Sequence, residues 1–359
     1  MNISEIVITY ISLLMLIPTI ASITKFDQWW VRGFDFPRIQ ISFLIIMVLI
    51  FSIITYSFEE FWHFIIVGLI LASFVYQTLK IFPYTIFSKK QVLAFAEKES
   101  KGTISILVSN VFMSNKNSEK LIVHVNNNKP DMILTLESDL YWENELKVLE
   151  EEYPYSVKIP KDNFYGMHLY SKLKLEEIEV KYIIENDIPS IHGYVRLESG
   201  KKIRIHCLHP KPPSPTENDT STNRDAELLF VGRNVKKNQE SVLLFGDLND
   251  VAWSRTTQLF QKLSGLMDPR IGRGFFNTFH AGYALFRWPL DHVFHTNDFT
   301  LIELTRLTSI DSDHFPMFIK LNYEPRSEIL QDEPVEANGD EKEWANEKIE
   351  DGNPRETEV

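Results

Sequence analysis

The segment LLFGDLND at residues 243–250 ends an apolar run with polar side chains. On an extended chain Asp247 and Asn249 are two residues apart and point to the same face, whereas Leu248 points to the other. Gly246 leaves room for another group to approach the backbone. A carboxylate can take a proton from a water molecule whose orientation an amide fixes. The segment therefore predicts a site that activates water.

Polar residues also end most of the other strands that the sequence predicts. They are Asn110, Glu137, His209, Asp291, His292, Asp313 and His314. Each one alone has an ordinary explanation, because polar residues are common in turns and near helix ends. Strand ends of a sheet protein tend to converge on one rim, however, and carboxylates crowded together need a cation. The whole set predicts a polar, cation-binding rim.

Sequence patterns typical of strands and of helices alternate between residues 100 and 323. The elements that they predict must position the polar side chains. Strands are predicted at 103–112, 130–138, 168–183, 191–209, 241–250, 289–296 and 315–323, with a hairpin at Ser199 and Gly200. Helices are predicted at about 118–128, 138–151, 223–234 and 252–263. This order predicts an α/β domain built mainly on strands.

The N-terminal region is much more apolar than the rest of the chain. Three uncharged or nearly uncharged runs occupy about 6–24, 39–58 and 61–79. Each is close to the ~20 residues that a helix needs to cross a bilayer. Buried core helices are the alternative, and a cleaved signal peptide fits less well because the first run lacks a basic flank. Residues 1–90 are therefore predicted to be a membrane anchor with three transmembrane helices.

Basic residues flank these runs on one side only. They are Lys25, Arg32, Arg38, Lys80, Lys89 and Lys90, whereas MNISE and the EEFWH turn contain no Lys or Arg. The positive-inside rule then places the rest of this multi-pass chain in the cytoplasm. Because the rule is statistical, a periplasmic or extracellular domain stays an open alternative.

The last residues are strongly acidic. Eleven acidic and three basic residues lie between Gln331 and Val359, and this segment accounts for eight of the chain's net −12 charges. So few apolar residues predict that 326–359 is a disordered tail. The remaining domain is only slightly acidic, which gives no basic footprint for nucleic acid.

Five motifs occur in an order that resembles the endonuclease/exonuclease/phosphatase superfamily, which has the DNase I-like fold. They are Asn110 after a strand, PDMILTLE with Glu137, GDLND, PLDHVF and SDHFP. The resemblance covers about residues 100–323 and implies a four-layer α/β sandwich of two packed, mainly antiparallel sheets within a domain at 91–325. It also implies hydrolysis of phosphoester bonds.

The resemblance implies a role for each motif residue. Glu137 resembles the main metal ligand, with Asn110 and Asp313 near the ion, and such oxygen ligands suit Mg²⁺ or Mn²⁺. Asp247 and Asn249 resemble the pair that activates and orients the attacking water. His314 resembles the imidazole that contacts the scissile phosphate, and Asp291 resembles the carboxylate that orients it.

The remaining candidates are less specific. His209 is the favoured substrate-contacting histidine because it lies at a strand end, with His206 as the alternative. Arg270, Arg273 and Arg287 could grip a phosphate or pyrophosphate, or they could be solvated loop charges. The loop that follows His209, at about 210–225, could cover the substrate or merely connect two elements. Cys207 is the only cysteine and excludes an internal disulfide.

These observations predict a membrane-anchored, metal-dependent phosphoester hydrolase, either a phosphatase or a phosphodiesterase. The predicted helices favour a lipid-linked phosphate or pyrophosphate as substrate. A membrane-tethered nuclease is the alternative within enzymes, although the domain's charge does not favour it. A catalytically silent membrane scaffold is the alternative outside enzymes.

Overall fold

The computed structural model describes residues 2–95 and 100–359. Four helices begin the chain: α1 (Ile3–Ile23), α2 (Trp29–Arg32), α3 (Arg38–Thr55) and α4 (Phe61–Ile81). A capping box between Asn2 and Glu5 begins α1, which satisfies free amide groups of its first turn. The helices α1, α3 and α4 pack on one another and are long and apolar enough to cross a membrane. This agrees with the predicted runs.

Small polar side chains join the three long helices. Ser12 Oγ lies 3.2 Å from Ser52 Oγ, and Gln77 Nε2 donates to Thr19 Oγ1 at 3.0 Å. Most of the large apolar side chains point outward instead, as Ile54 and Phe61 do. Small and polar contacts inside with apolar surface outside are typical of helices packed in lipid.

Eleven strands and five further helices follow in the described part of the chain. The strands are β1 (Thr103–Asn110), β2 (Met132–Leu136), β3 (Tyr155–Ile159), β4 (Met167–Ser171), β5 (Lys174–Lys181), β6 (Ser190–Arg196), β7 (Lys202–Leu208), β8 (Val242–Asp247), β9 (Asp291–His295), β10 (Phe299–Arg306) and β11 (Met317–Tyr323). The helices are α5 (Ser118–Asn128), α6 (Leu140–Glu145), α7 (Thr222–Asn238), α8 (Arg255–Ser264) and α9 (Gly339–Gly352).

The strands form two mixed sheets. One has the order β10-β11-β1-β2-β4-β3 and the other β5-β6-β7-β8-β9. Only β1 with β2 and β7 with β8 are parallel pairs, and the other neighbours are antiparallel. Each sheet therefore has one central parallel pair whose carboxyl ends lie at the same edge.

Alternation of apolar residues along the strands builds four layers. Ile106 and Phe245 belong to the core between the sheets, whereas the adjacent Leu107 and Leu244 face the helices that cover the sheets. Leu107 packs in a cluster with Trp142 of α6, and Leu244 packs in a cluster that includes side chains of α7 and α8. Side chains that alternate with period two can fill both cores at once. The predicted four-layer sandwich is confirmed.

The sequence-based element boundaries need some corrections. The run at 168–183 contains two strands, β4 and β5, because the chain turns at Lys172 and Leu173. Strands β3 and β10 were not predicted, since both lie at a sheet edge and mix polar and apolar residues. The hairpin at Ser199 and Gly200 does connect β6 to β7, and Gly200 has a φ of 86°, which favours glycine.

The prediction of a disordered acidic tail at 326–359 is wrong for its helical part. Residues of α9 form an apolar face, and Trp344, Ala345 and Ile349 are buried in the cluster that contains α7. Asn338 and Glu341 form a capping box at the helix start. The acidic residues occupy mainly the other faces, so an average over the segment hides its buried stripe.

The two-sheet domain packs directly on the ends of the N-terminal helices. Trp253 Nε1 donates to the backbone oxygen of Asp35 at 2.7 Å, and Tyr84 Oη donates to the backbone oxygen of Ala252 at 2.6 Å. Lys348 of α9 also pairs with Asp27. Because these residues are buried or partly buried, the contacts fix the domain against the helices.

Candidate active site

Polar side chains from both sheets meet at one edge of the sandwich. Asn110 ends β1, Glu137 follows β2, Asp247 ends β8 and His209 follows β7. These four strands are the two central parallel pairs, so their carboxyl ends lie together when the sheets pack face to face. We call this set, with Asn249, Asp291, Asp313 and His314, the rim.

Asn110 joins the two sheets at the rim. Its Nδ2 atom donates to Glu137 Oε1 at 2.8 Å and to Asp247 Oδ2 at 3.1 Å. Its Oδ1 atom accepts from the backbone amide of Phe112 at 3.0 Å. One amide therefore holds a carboxylate from each sheet in a fixed position.

His314 lies between two carboxylates. Its Nδ1 atom is 2.8 Å from Asp291 Oδ2, and its Nε2 atom is 3.5 Å from Asp247 Oδ2. Burial alone lowers the pKa of His314, but Asp291 and then Asp247 outweigh it and raise the pKa to about 10. The imidazole is therefore held as a cation that can donate from Nε2.

Glu137 combines three unusual properties. Its φ is 58°, a left-handed backbone conformation that is rare for this residue type. Burial raises its pKa to about 7 despite the hydrogen bond from Asn110. Its Oε2 atom is buried and has no hydrogen-bond partner among the described residues. An unpaired carboxylate oxygen near Asp247 and Asp313 fits a divalent cation that prefers oxygen ligands.

A second group of residues is also close enough to hold an ion. Ligand atoms of Asp247, Asp291 and His314 lie within 4.8 Å of one another. The Nδ1 atom of His314 is already hydrogen-bonded to Asp291, however, and a raised pKa keeps both ring nitrogens protonated. We therefore favour the Glu137 side of the rim over this group as the metal position.

The structure changes the reason for placing Asn249 in the site. Strand β8 ends at Asp247, and Asn249 has a φ of 51°, so the two side chains do not lie on one extended strand. The Asn249 amide nitrogen donates to Asp247 Oδ1 at 2.9 Å, and Nδ2 donates to the backbone oxygen of Pro210 at 3.0 Å. A tight turn thus brings Asn249 beside the carboxylate.

A cavity of about 240 Å³ opens beside the rim. It is lined by Phe112, Glu137, Phe164, Tyr165, His209, Pro212, Glu217 and Asn249. The presence of Pro212 and Glu217 shows that the loop after β7 forms part of its wall. His206 lies elsewhere, because its Nδ1 atom pairs with His192 Nδ1 at 2.7 Å inside the sheet. Of the two histidines, the geometry places His209 at the site.

Only one of the three candidate arginines lies near the rim with an accessible side chain. Arg270 is buried, and its guanidinium bonds Asp268 and His292. Arg273 donates to backbone oxygens of Pro269 and Val92. These two arginines therefore stabilise loops, and the prediction that they grip the substrate is revised. Arg287 is partly exposed and lies over the ring of Phe315, just after His314.

Sequence reasoning missed several residues that shape the site. Arg224 is buried and donates to the backbone oxygen of Asn249 at 2.8 Å, so it supports the turn after β8. Tyr165 lines the cavity and donates to Glu217 Oε2 at 2.6 Å. The ring of Phe279 lies 5.0 Å from that of His314. None of them ends a predicted strand, so the signal that found the rim could not find them.

Two sheets packed face to face, with this rim at the ends of their parallel strands, define a protein of the DNase I-like class. Residues 107–314 match the model of the Endonuclease/Exonuclease/phosphatase family. The protein belongs to that family, whose members are phosphoester hydrolases. A search of the curated proteins found no match.

Solved structures show the same fold at low sequence identity. Humanized TDP2 of D. rerio has a TM-score of 0.50 and 16% identity, over 62% of this chain and 100% of that chain. The human Nocturnin catalytic domain has a TM-score of 0.51 and 14% identity, over 67% and 99%. An endonuclease/exonuclease/phosphatase from Bacteroides vulgatus has a TM-score of 0.50 and 12% identity, over 62% and 99%. These similarities establish the fold alone.

Proposed function

We propose that this protein is a membrane-anchored, divalent-metal-dependent phosphoester hydrolase that uses water as its nucleophile. The main observation in support is the convergence of Asp247, the Asp291–His314 pair and the unpaired Glu137 carboxylate at one rim. These groups match the needs of the reaction: a base for water, a donor for the phosphate and a place for a cation.

Asp247 and Asn249 would act on the attacking water. Asp247 Oδ2 accepts a hydrogen bond from Asn110, and it can take the proton that the water loses on attack. Asn249 lines the cavity beside it and can fix the orientation of the water. His314, held by Asp291, would donate from Nε2 to an oxygen of the phosphate. His209 would contact the phosphate from the cavity wall.

Glu137 would be the main ligand of Mg²⁺ or Mn²⁺, with Asn110 and Asp313 beside it. A bound ion would supply a positive charge that offsets the charge developing on the phosphate. The pKa of about 7 for Glu137 is consistent with this role, because the protein alone does not stabilise the ionised carboxylate.

We propose that residues 1–90 form the membrane anchor, with the catalytic domain at 91–325. The lengths and apolar surfaces of α1, α3 and α4 support this proposal. Lys89 and Lys90 are exposed after the last helix, which supports a cytoplasmic domain, whereas Arg32 and Arg38 are buried around Asp35.

An apolar loop between the rim and the anchor supports a lipid-linked substrate. Tyr283, Leu285 and Phe286 are 61%, 78% and 54% exposed. At one side of the loop, Ala281 donates its amide to the backbone oxygen of Asp313 at 2.6 Å. At the other, Gln40 at the start of α3 donates to the backbone oxygen of Leu285 at 2.6 Å. The loop therefore runs from the site to the start of α3, the end of that helix nearest the domain. Exposed aromatic residues at such a position favour the membrane–water interface.

The test is hydrolysis by the full-length protein in lipid nanodiscs. Release of phosphate from a prenyl pyrophosphate or a phospholipid headgroup, and nicking of DNA, would be measured with Mg²⁺ and with EDTA. We expect lipid phosphate release that requires the metal and is lost in Asp247→Ala and His314→Ala. Nicking with the same dependence would make the protein a tethered nuclease. Absence of both reactions would favour a silent scaffold and contradict the proposal.

The side of the membrane can be tested by cysteine labelling in whole cells. Cys207 is the only cysteine and is buried, so a cysteine introduced at the exposed Lys120 would report alone. We expect Lys120→Cys to react with a membrane-impermeant maleimide only after lysis. Labelling of intact cells would place the domain on the outer side.

A further inference from the structure

A basic cavity lies where the N-terminal helices meet the catalytic domain, and none of its lining residues belongs to the rim. Its volume is about 270 Å³. Ser22 and Ile23 of α1 line one side, Tyr76 and Lys80 of α4 the next, and residues of α8 and α9 close it. The ends of α1 and α4 that border it are the ends nearest the domain, so the cavity would lie at headgroup level if these helices span a bilayer.

Positive charge dominates the lining of this cavity. Its ionisable residues, apart from Tyr76, are Arg38, Lys80, Arg255, Lys262 and Glu341. Arg38 is paired with Asp35, and Lys262 Nζ lies 2.6 Å from Glu341 Oε1. The two remaining cations have no carboxylate within 4.0 Å among residues 2–95 and 100–359. They are Lys80, which bonds Gln258 Oε1 at 2.8 Å, and Arg255.

Arg255 is the cation whose surroundings favour an added anion most clearly. It is partly buried, and its guanidinium lies 4.0 Å above the ring of Trp344. Burial, and next the charge of Arg32, lowers its pKa. A guanidinium that is held by an aromatic face and lacks a carboxylate leaves its donors free to bind a phosphate in a bidentate manner.

Apolar surface continues from the cavity along the helices. Ile20, Ile23 and Leu79 are all more than half exposed on α1 and α4. Acyl chains could lie against this surface while a headgroup occupies the cavity. Basic pockets between membrane helices on the cytoplasmic side are a known way to hold anionic lipid headgroups.

We propose that this cavity binds the phosphate of an anionic phospholipid, with Lys80 and Arg255 as the principal contacts. The site would couple lipid composition to the seating of the domain, because α8 belongs to the domain, α9 packs on α7 of the domain, and α1 and α4 belong to the anchor. This inference rests on the membrane placement under the proposed function, but it does not depend on the chemistry at the rim.

The experiment is native mass spectrometry of the full-length protein in detergent with added phosphatidylglycerol or phosphatidylcholine. We expect retention of phosphatidylglycerol in preference to phosphatidylcholine, and at least about tenfold weaker retention in Arg255→Gln/Lys80→Gln. Arg255→Lys/Lys80→Arg keeps both charges and should keep most of the binding. Arg196→Gln/Lys202→Gln is the matched control, since these residues of β6 and β7 each pair with a glutamate and do not line the cavity.

Two results of the retention experiment would overturn the proposal. One is equal retention of the two lipids, and the other is unchanged retention by the double variant. A separate arm adds inorganic phosphate and measures thermal unfolding. Stabilisation by phosphate that is lost in Arg255→Gln/Lys80→Gln, without retention of phosphatidylglycerol by the wild type, would assign the cavity to a soluble anion and also overturn the lipid assignment. Thermal unfolding of each variant without lipid shows whether it folds. The loss of hydrolysis expected in Asp247→Ala is measured separately from lipid retention, so a failure of the proposed rim chemistry and a failure of the lipid site are distinguishable.

Discussion

Two of the regions that hold buried or partly buried carboxylates compensate them in different ways. Asp35, between the helices and the domain, contacts the guanidinium groups of both Arg32 and Arg38. At the rim, Glu137 receives one hydrogen bond from an amide and has Asp247 and Asp313 as negative neighbours. The first carboxylate is neutralised within the fold. Under the proposed function the second is neutralised by a cation from solution, which would separate a structural ion cluster from a metal site.

The largest expected effect is the loss of activity when the rim loses its proposed base. We expect Asp247→Asn to lower phosphoester hydrolysis by about 10³-fold, the size of a general-base contribution. Its thermal unfolding temperature should stay the same or rise, because one of several crowded negative charges is removed. Single-turnover hydrolysis and thermal unfolding on one preparation measure both. Activity within tenfold of the wild type would refute the assignment of Asp247.

The reverse pattern is expected at the junction, the ion cluster of Asp35, Arg32 and Arg38 between the helices and the domain. Asp35→Ala leaves two buried guanidinium groups without their carboxylate and should lower the free energy of unfolding by about 3–5 kcal/mol. Activity per folded molecule should change little, because Asp35 does not lie at the rim. Urea unfolding in detergent, together with activity corrected for the folded fraction, tests this. A stable variant would show that the junction does not depend on this ion cluster.

Another buried carboxylate, that of Glu227 on α7, sharpens the comparison through its pH dependence. Burial, and next the charge of Glu185, raises its pKa to about 8, and its Oε1 atom has no hydrogen-bond partner within the described ranges. The folded state therefore holds a proton that the unfolded chain loses near pH 4.5. The stabilisation is complete below that pH and is lost as the pH rises through about 8.

We expect the free energy of unfolding to fall between pH 5 and 8 by roughly 1.4 kcal/mol per pH unit from this group. Glu227→Gln should flatten that slope and be more stable than the wild type at pH 8. Urea unfolding across this pH range measures it, with the exposed Glu119→Gln as the control. A slope that is the same in both variants would rule out Glu227 as its source.

The smallest expected effect is at Asn249. Asn249→Ala removes the side chain that is held by Pro210 and proposed to orient the water, while the base at Asp247 stays. We expect roughly a tenfold loss of hydrolysis, because positioning is weakened and proton transfer is not. The turnover number should fall more than the Michaelis constant rises. A loss equal to that of Asp247→Asn would show that Asn249 has a direct role in the reaction.

The convergence of the rim residues could be predicted from the sequence because the signal is local, whereas their roles stay a prediction. A polar residue at the end of a strand is visible along the chain, as for Asn110, Glu137 and Asp247. In the structure these residues come together with Asp291, which begins β9, and with His314, which precedes β11. The same reasoning fails where a residue's surroundings are set by distant segments. From the sequence, Arg270 is a candidate for binding phosphate, but in the structure it pairs with Asp268 and His292. The sequence around Arg224 likewise does not indicate that it supports the turn after β8.

The C-terminal helix shows the same limit at the level of an element. Its acidic composition predicts disorder, but burial depends on which face carries Trp344 and Ile349 and on whether α7 offers a partner surface. Composition contains neither piece of information. The edge strands β3 and β10 were missed for a related reason, because hydrogen bonds to a neighbouring strand stabilise them more than their own apolar pattern does.

The most direct test of the contrast between the two regions is Mn²⁺ binding, measured by electron paramagnetic resonance on the purified full-length protein. The proposed site predicts saturable binding by the wild type that weakens at least about tenfold in Glu137→Gln, where the ligand charge is lost. The exposed Glu119→Gln should bind as the wild type does. Equal Mn²⁺ binding by the wild type and Glu137→Gln would contradict the claim that the rim, unlike the junction, is completed by a cation.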